Sequence, residues 1–191
     1  MEPTGLTIRF AQAFLFAFQL HAGQSRKGSR APYIAHLIGV AALVLEYGGD
    51  EDQAIAALLH DAVEDQGGIR TLEEIHRRFG ERVAVIVAGC TDAYTVPKPP
   101  WRERKERYIQ HLAEASPDVW LVSLADKVHN ARSVLADLRR EGEGVWDRFK
   151  GGKTGTLWYY HSLLNAFRRL SDSPLSEELA RVVADIEQIG A

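Results

Sequence analysis

Residues 50–65 read DEDQAIAALLHDAVED. The first ten, Asp50 to Leu59, are rich in alanine and leucine and predict an apolar helix with Asp50 as its N-cap. The next six, His60 to Asp65, add one imidazole and three carboxylates. If the helix continues, His60 and Glu64 are four apart, as are Asp61 and Asp65, so each pair shares a face. A buried row of this kind is costly unless a cation compensates it. The bland alternative is a solvated, charged helix end. The density of ligand types at helical spacing favours metal chemistry.

Working outward, the chain reads as helix after helix. A first helix spans about Thr7 to Ala22, and phenylalanines at 10, 14 and 18 predict its core-facing stripe. A basic loop, Gly23 to Pro32, leads to a helix from Tyr33 to Tyr47 that stops at Gly48-Gly49. The cluster helix is expected to end near Gly67-Gly68. Thr71, with Glu74 three residues on, predicts a capping box for a short helix ending at Gly80. Residues 82–88 (RVAVIVA) have strand-like composition but nothing to pair with, so they are expected to be helical. A proline-rich loop, Tyr94 to Pro100, precedes a helix starting near Trp101. Ser116-Pro117 then opens a long helix through Arg140. A glycine-rich patch from Gly142 to Gly155 precedes two final helices, Thr156–Leu170 and Ser176–Ile189. The expectation is one all-α domain over residues 1–191, a helical bundle with a metal site between helices.

With 191 residues, 46% hydrophobic and 26% charged, the chain suits one ordinary globular domain. A net charge of −3 argues against a nucleic-acid-gripping surface. The one cysteine, Cys90, excludes an internal disulfide and a cysteine-rich zinc site, and fits a reducing cytoplasm. The apolar run Ala13–Phe18 is too short to cross a membrane, and no targeting signal is read.

Two further residues can complete a metal shell. His36 lies in the helix before the cluster. Asp126 lies within Leu124-Ala125-Asp126-Lys127-Val128-His129-Asn130. Alone, His36 is more often a packed or capping histidine, and Asp126 can be a solvated partner of Lys127. Yet Asp126 interrupts an apolar run, Val119 to Val128, where an unpaired carboxylate is costly. Two imidazoles and two carboxylates suit Mn²⁺ or Fe²⁺ better than a thiolate-seeking metal. Such an ion lowers the pKa of bound water, which Glu64 or Asp65 would orient or deprotonate.

The order His36, His60-Asp61, Asp126 resembles the HD superfamily of metal-dependent phosphohydrolases. His21-Ala22-Gly23-Gln24, Arg26-Lys27, Pro32-Tyr33-Ile34 and His36 are similar to the first motif of the RelA/SpoT alarmone hydrolases. Leu58–Asp65 and Leu124–Arg132 resemble two more, so the core motifs span residues 21–132. After residue 140 the match weakens, and helices in 142–191 complete the fold.

The resemblance implies an all-helical stand-alone hydrolase with a single Mn²⁺. It would remove the 3′-pyrophosphate of (p)ppGpp, giving GDP or GTP. It implies His36, His60, Asp61 and Asp126 as metal ligands, and Glu64 and Asp65 as the pair serving the attacking water. Arg26 and Lys27 would meet the base, and Asn130 would line the nucleotide pocket beside Ser133. Lys98, Arg102, Lys153 and Tyr159-Tyr160 are further candidates for the substrate phosphates, but surface charge for the basic residues and core packing for the aromatic ones are the favoured readings. The partner is therefore a small nucleotide, with no nucleic acid or membrane, and the oligomeric state is open. Two rival functions remain. One is an HD phosphohydrolase for ppApp or the 2′-phosphate of NADPH. The other is an HD domain that binds nucleotide without catalysis, which the intact ligand set and Glu64-Asp65 pair disfavour.

Overall fold

In a computed structural model of the chain, residues 5–94, 97–170 and 172–189 are described, and every regular element among them is helical. Helix α1 (Ile8–Leu20) is capped by the Thr7 hydroxyl, which accepts the Arg9 amide. Its buried face is Ala13, Phe16 and Ala17, and the expected phenylalanine stripe does not hold. Phe14 and Phe18 are 38% and 52% exposed. A strict four-residue spacing drifts about 40° per step around a 3.6-residue helix, so it leaves the core side. The small Ala13 and Ala17 face inward instead, where α1 packs on α3.

Helix α2 (Ile34–Glu46) leads to α3 (Glu51–Leu59), which opens on a reciprocal capping box between Asp50 and Gln53. Residues 53–59 of α3 are all buried, because α1, α2, α6 and α8 surround it. This central helix ends one residue before the acidic cluster. His60 and Asp61 form a turn, and a short α4 (Ala62–Asp65) follows. The expectation of one continuous helix through the cluster is therefore corrected. Asp65 still donates its amide to the Asp61 carbonyl at 3.0 Å, so that pair alone keeps the helical relation.

Helix α5 (Ile69–Phe79) has Gly68 as its N-cap, three residues before the expected cap at Thr71. Thr71 lies inside it and donates its hydroxyl to the Gln66 carbonyl, while Glu74 pairs with Arg77 and Arg78. No Thr71–Glu74 capping box forms. Residues 82–88 are helical as expected, within α6 (Glu81–Cys90). The loop before α7 (Trp101–Leu112) is where it was expected, though its residues 95 and 96 lie outside the described residues.

Helix α8 (Pro117–Glu141) is the longest and packs on α2, α3, α6 and α10. Ser116 is its N-cap without a side-chain cap bond. The glycine-rich patch is more ordered than expected. A 3₁₀ turn (Gly142–Arg148) and the first residues of α9 (Gly152–Leu170) occupy it. Gly151 serves close approach there: a Cβ would sit 2.7 Å from the Trp101 ring. Helix α10 (Pro174–Ile189) starts two residues early and lies along α8.

Candidate metal centre

Four side chains converge where α2, the end of α3 and α8 meet. His36 comes from the first turn of α2, His60 and Asp61 from the turn after α3, and Asp126 from the middle of α8. His36 Nε2 lies 3.2 Å from Asp126 Oδ1 and 3.6 Å from Asp61 Oδ2. His60 Nε2 lies 3.2 Å from Asp61 Oδ2 and 3.5 Å from Asp126 Oδ1. Donors about 2.1 Å from one ion are about 3.0 Å apart at right angles and about 3.4 Å apart in a tetrahedron. The spacing therefore suits a single first-row ion.

Both Nε2 atoms are buried without a hydrogen-bond partner, a costly arrangement that a metal relieves. The second ring nitrogens are fixed from behind. His60 Nδ1 donates to the Ala57 carbonyl at 2.7 Å, leaving the Nε2 lone pair facing the cluster. His36 Nδ1 lies 2.9 Å from His129 Nδ1. Burial, then the His36 charge, push His129 down to about 4, so it stays neutral and accepts from His36. Tyr33 donates its hydroxyl to Asp61 at 2.5 Å, and Asn130 its amide to Asp126 at 2.5 Å. Lys127 binds the other Asp126 oxygen. Burial opposes a charged His60 most strongly. The nearby Asp61 and Asp126 carboxylates outweigh it and hold the pKa well above its ordinary value. This pocket attracts positive charge.

Beside the cluster, Glu64 and Asp65 are bridged by Lys98, whose Nζ lies 2.7 Å from Glu64 and 3.1 Å from Asp65. Glu64 also meets Arg104 at 3.4 Å, and Arg104 binds Asp92 in turn. Burial, then the Asp92 charge, raise Glu64 to about 7. Burial opposes ionisation of Asp92, but Lys105 and Arg104 lower it to about 2. Gln24 donates to Asp65 at 3.1 Å. Glu64, Asp92 and Lys105 line a polar hollow of about 170 Å³ that Arg26, Asn130 and Tyr159 also line.

The remaining sequence candidates lie at varied positions. Arg26 donates to Asn130 at 2.6 Å and stands 5.7 Å over the Tyr33 ring. Lys27 is exposed, over Phe149. The Ser133 hydroxyl donates to the His129 carbonyl at 3.0 Å. Arg102 stacks on Trp158, and Lys153 pairs with Glu143 at 3.1 Å. Sequence reasoning missed Tyr33 and His129 as supports, although both lie inside the quoted motifs. It also missed Asp92, Arg104 and Lys105. The available signal was an acidic residue just past an apolar helix.

A family model described as the HD domain matches residues 13–157. The chain is 43% identical over 132 residues to the guanosine-3′,5′-bis(diphosphate) 3′-pyrophosphohydrolase of Xenopus tropicalis, covering 68% of this chain and 69% of that one. It is 38% identical to a probable enzyme of the same name from Synechocystis, covering 71% of this chain but 18% of the relative. A solved structure of a metazoan ortholog of SpoT that hydrolyses ppGpp superposes with a TM-score of 0.79. That match has 26% identity and covers 98% of this chain and 99% of the other. A Listeria monocytogenes structure superposes with a TM-score of 0.70 at 33% identity, covering 80% and 99%. Family match and histidine–aspartate cluster together indicate a divalent metal site. The chain belongs to the HD domain family.

Proposed function

We propose that this chain is a Mn²⁺-dependent pyrophosphohydrolase acting on the 3′-pyrophosphate of ppGpp and pppGpp, yielding GDP or GTP and pyrophosphate. One observation carries the reading. Two buried, unpartnered Nε2 atoms meet two carboxylates beside Glu64, in a chain 43% identical to an enzyme named for this reaction. His36, His60, Asp61 and Asp126 would hold the ion, with residues 1–191 acting as one cytoplasmic domain. When bound, such an ion acidifies water and polarises a phosphoryl oxygen.

The chain's own residues do the rest. Glu64 accepts the proton of the attacking water, and Asp65, held by Gln24 and Lys98, orients it. The water oxygen bonds the phosphorus attached to the ribose 3′-oxygen. The P–O bond to that oxygen breaks, its electron pair stays on oxygen, and a proton completes the 3′-hydroxyl. Lys98 offsets the Glu64 and Asp65 charges so that an anionic substrate can approach. Arg26, braced by Asn130, presents a planar cation to the base, with Lys27 beside it and Ser133 further along α8.

The test is to incubate purified protein and Mn²⁺ with ppGpp, pppGpp, ppApp and NADPH, with and without chelator. The expected products are GDP or GTP plus intact pyrophosphate, abolished by chelator. Faster turnover of ppApp or NADPH would reassign the substrate. No turnover of any of the four would favour the non-catalytic alternative.

A further inference from the structure

We propose that the outward face of α1 is a dimer interface, filled by α1 of a second copy of this chain packed antiparallel about a two-fold axis near Leu15. The inference is independent of the function proposed above, since no residue of α1 lines the polar hollow. Helix α1 is apolar on two sides. Ala13, Phe16 and Ala17 are buried toward the core, while Ile8, Phe14, Leu15 and Phe18 face away from it, Ile8 71% and Leu15 54% exposed. On a 3.6-residue helix these four fall within an arc of about 120°. They leave about 400 Å² of apolar side chain in contact with solvent, the size at which a patch on a monomer is often an interaction site. With the exposed Ala11, Gln12 and Gln19 the face comes to about 600 Å² per copy, the lower end of the range for a specific pair.

Charge selects the occupant. The one charged residue of α1, Arg9, is tied to Glu51, Asp52 and the Phe79 carbonyl. Arg78, which neighbours the helix, is held over the Phe16 ring and by Glu74. The face therefore lacks the cationic rim that holds an apolar helix on an anionic lipid surface. It also offers no charge for an acidic or basic partner to match. Its polar edge is Gln12 and Gln19, seven residues apart and so on one side of the helix. A neutral amide both donates and accepts, so it can pair with its own copy, where a charged residue would repel itself. The register agrees. In an antiparallel two-fold pair, like edge meets like edge. Gln12 opposite Gln19 of the second copy centres the pair between residues 15 and 16, and Phe14 opposite Phe18 centres it at 16. One axis serves both edges. Leu15 then meets its own copy beside a groove of about 340 Å³, which Gln12, Phe16, Gln19 and Phe79 also line.

The test is the mass of the full chain in solution by sedimentation velocity. The parent should run with the mass of two chains at about 100 µM. Leu15→Glu/Phe18→Glu sets like charges across the axis and should raise the dissociation constant about a hundredfold or more, with helical circular dichroism unchanged. Gln12→Glu/Gln19→Glu and Gln12→Lys/Gln19→Lys should each run as single chains, and their equimolar mixture should recover the two-chain mass. That second pair decides the matter should the first variant fail to fold. A parent that runs as a single chain, whether free or carried down by phosphatidylserine vesicles, overturns the proposal. So does a parent dimer that the glutamate variants leave intact, since the contact then lies elsewhere. A mixture that stays single-chain overturns the antiparallel pairing.

Discussion

At the residue scale, Glu64 stands between opposing charges, and its environment decides when it can act. Burial and the Asp92 charge raise it to about 7, while Lys98 works in the other direction. A base is competent only when ionised, so kcat/KM should rise as pH climbs through about 7. Lys98→Met removes the favourable cation and should move that limb to higher pH; a limb shifted downward would contradict this. Glu64→Gln should lower kcat by about two orders of magnitude while metal content stays that of the parent. The same variant bears on stability. A carboxyl raised above its unfolded pKa destabilises the fold above that pKa, fully so once pH exceeds the folded value. At about pH 8, therefore, Glu64→Gln should melt at or above the parent temperature. Little of this pairing was legible in the sequence, because Asp92 gains meaning only when α7 brings Arg104 and Lys105 to it.

At the scale of elements, the helix α2–α8 contact sets the His36 imidazole through one small residue. A Cβ at Gly39 would lie 2.3 Å from His129 Nε2, and His129 in turn holds His36. Gly39→Ala improves helix propensity by about 1 kcal/mol yet should displace that imidazole. The expected outcome is metal affinity reduced about tenfold or more with little loss of folding, checked by metal titration beside thermal melting. Asp50→Ala removes the α3 capping box and the ion pair to Arg82, and should cost about 1 kcal/mol, or about 2–4 °C in Tm. That cap was readable because Asp50 follows Gly48-Gly49 and stands one turn before the apolar run Ala54 to Leu59. The break at His60-Asp61 was not, since the apolar period continues through it. The phenylalanine stripe misled for a related reason: small alanines, not the largest side chains, set where α1 touches α3.

At the scale of the molecule, the centre ties together helices distant in sequence. His36 and Asp126 are brought to His60-Asp61 by the packing of α2 and α8 around α3. The convergence of His36, His60, Asp61 and Asp126 was legible because their motifs are dense. Their supports depended on contacts across the fold. No helix among the described residues is long and apolar enough to cross a membrane. Because the ion binds the folded site and not the unfolded chain, free metal at a hundredfold over Kd should add about 2.7 kcal/mol of stability, with chelator reversing the gain in Tm. The central claim is that four side chains share one ion, and anomalous diffraction from a Mn²⁺-soaked crystal tests it most directly. The account predicts one peak about 2.2 Å from His36 Nε2, His60 Nε2 and a carboxylate oxygen each of Asp61 and Asp126. A peak elsewhere, or none with the four side chains in place, would contradict it.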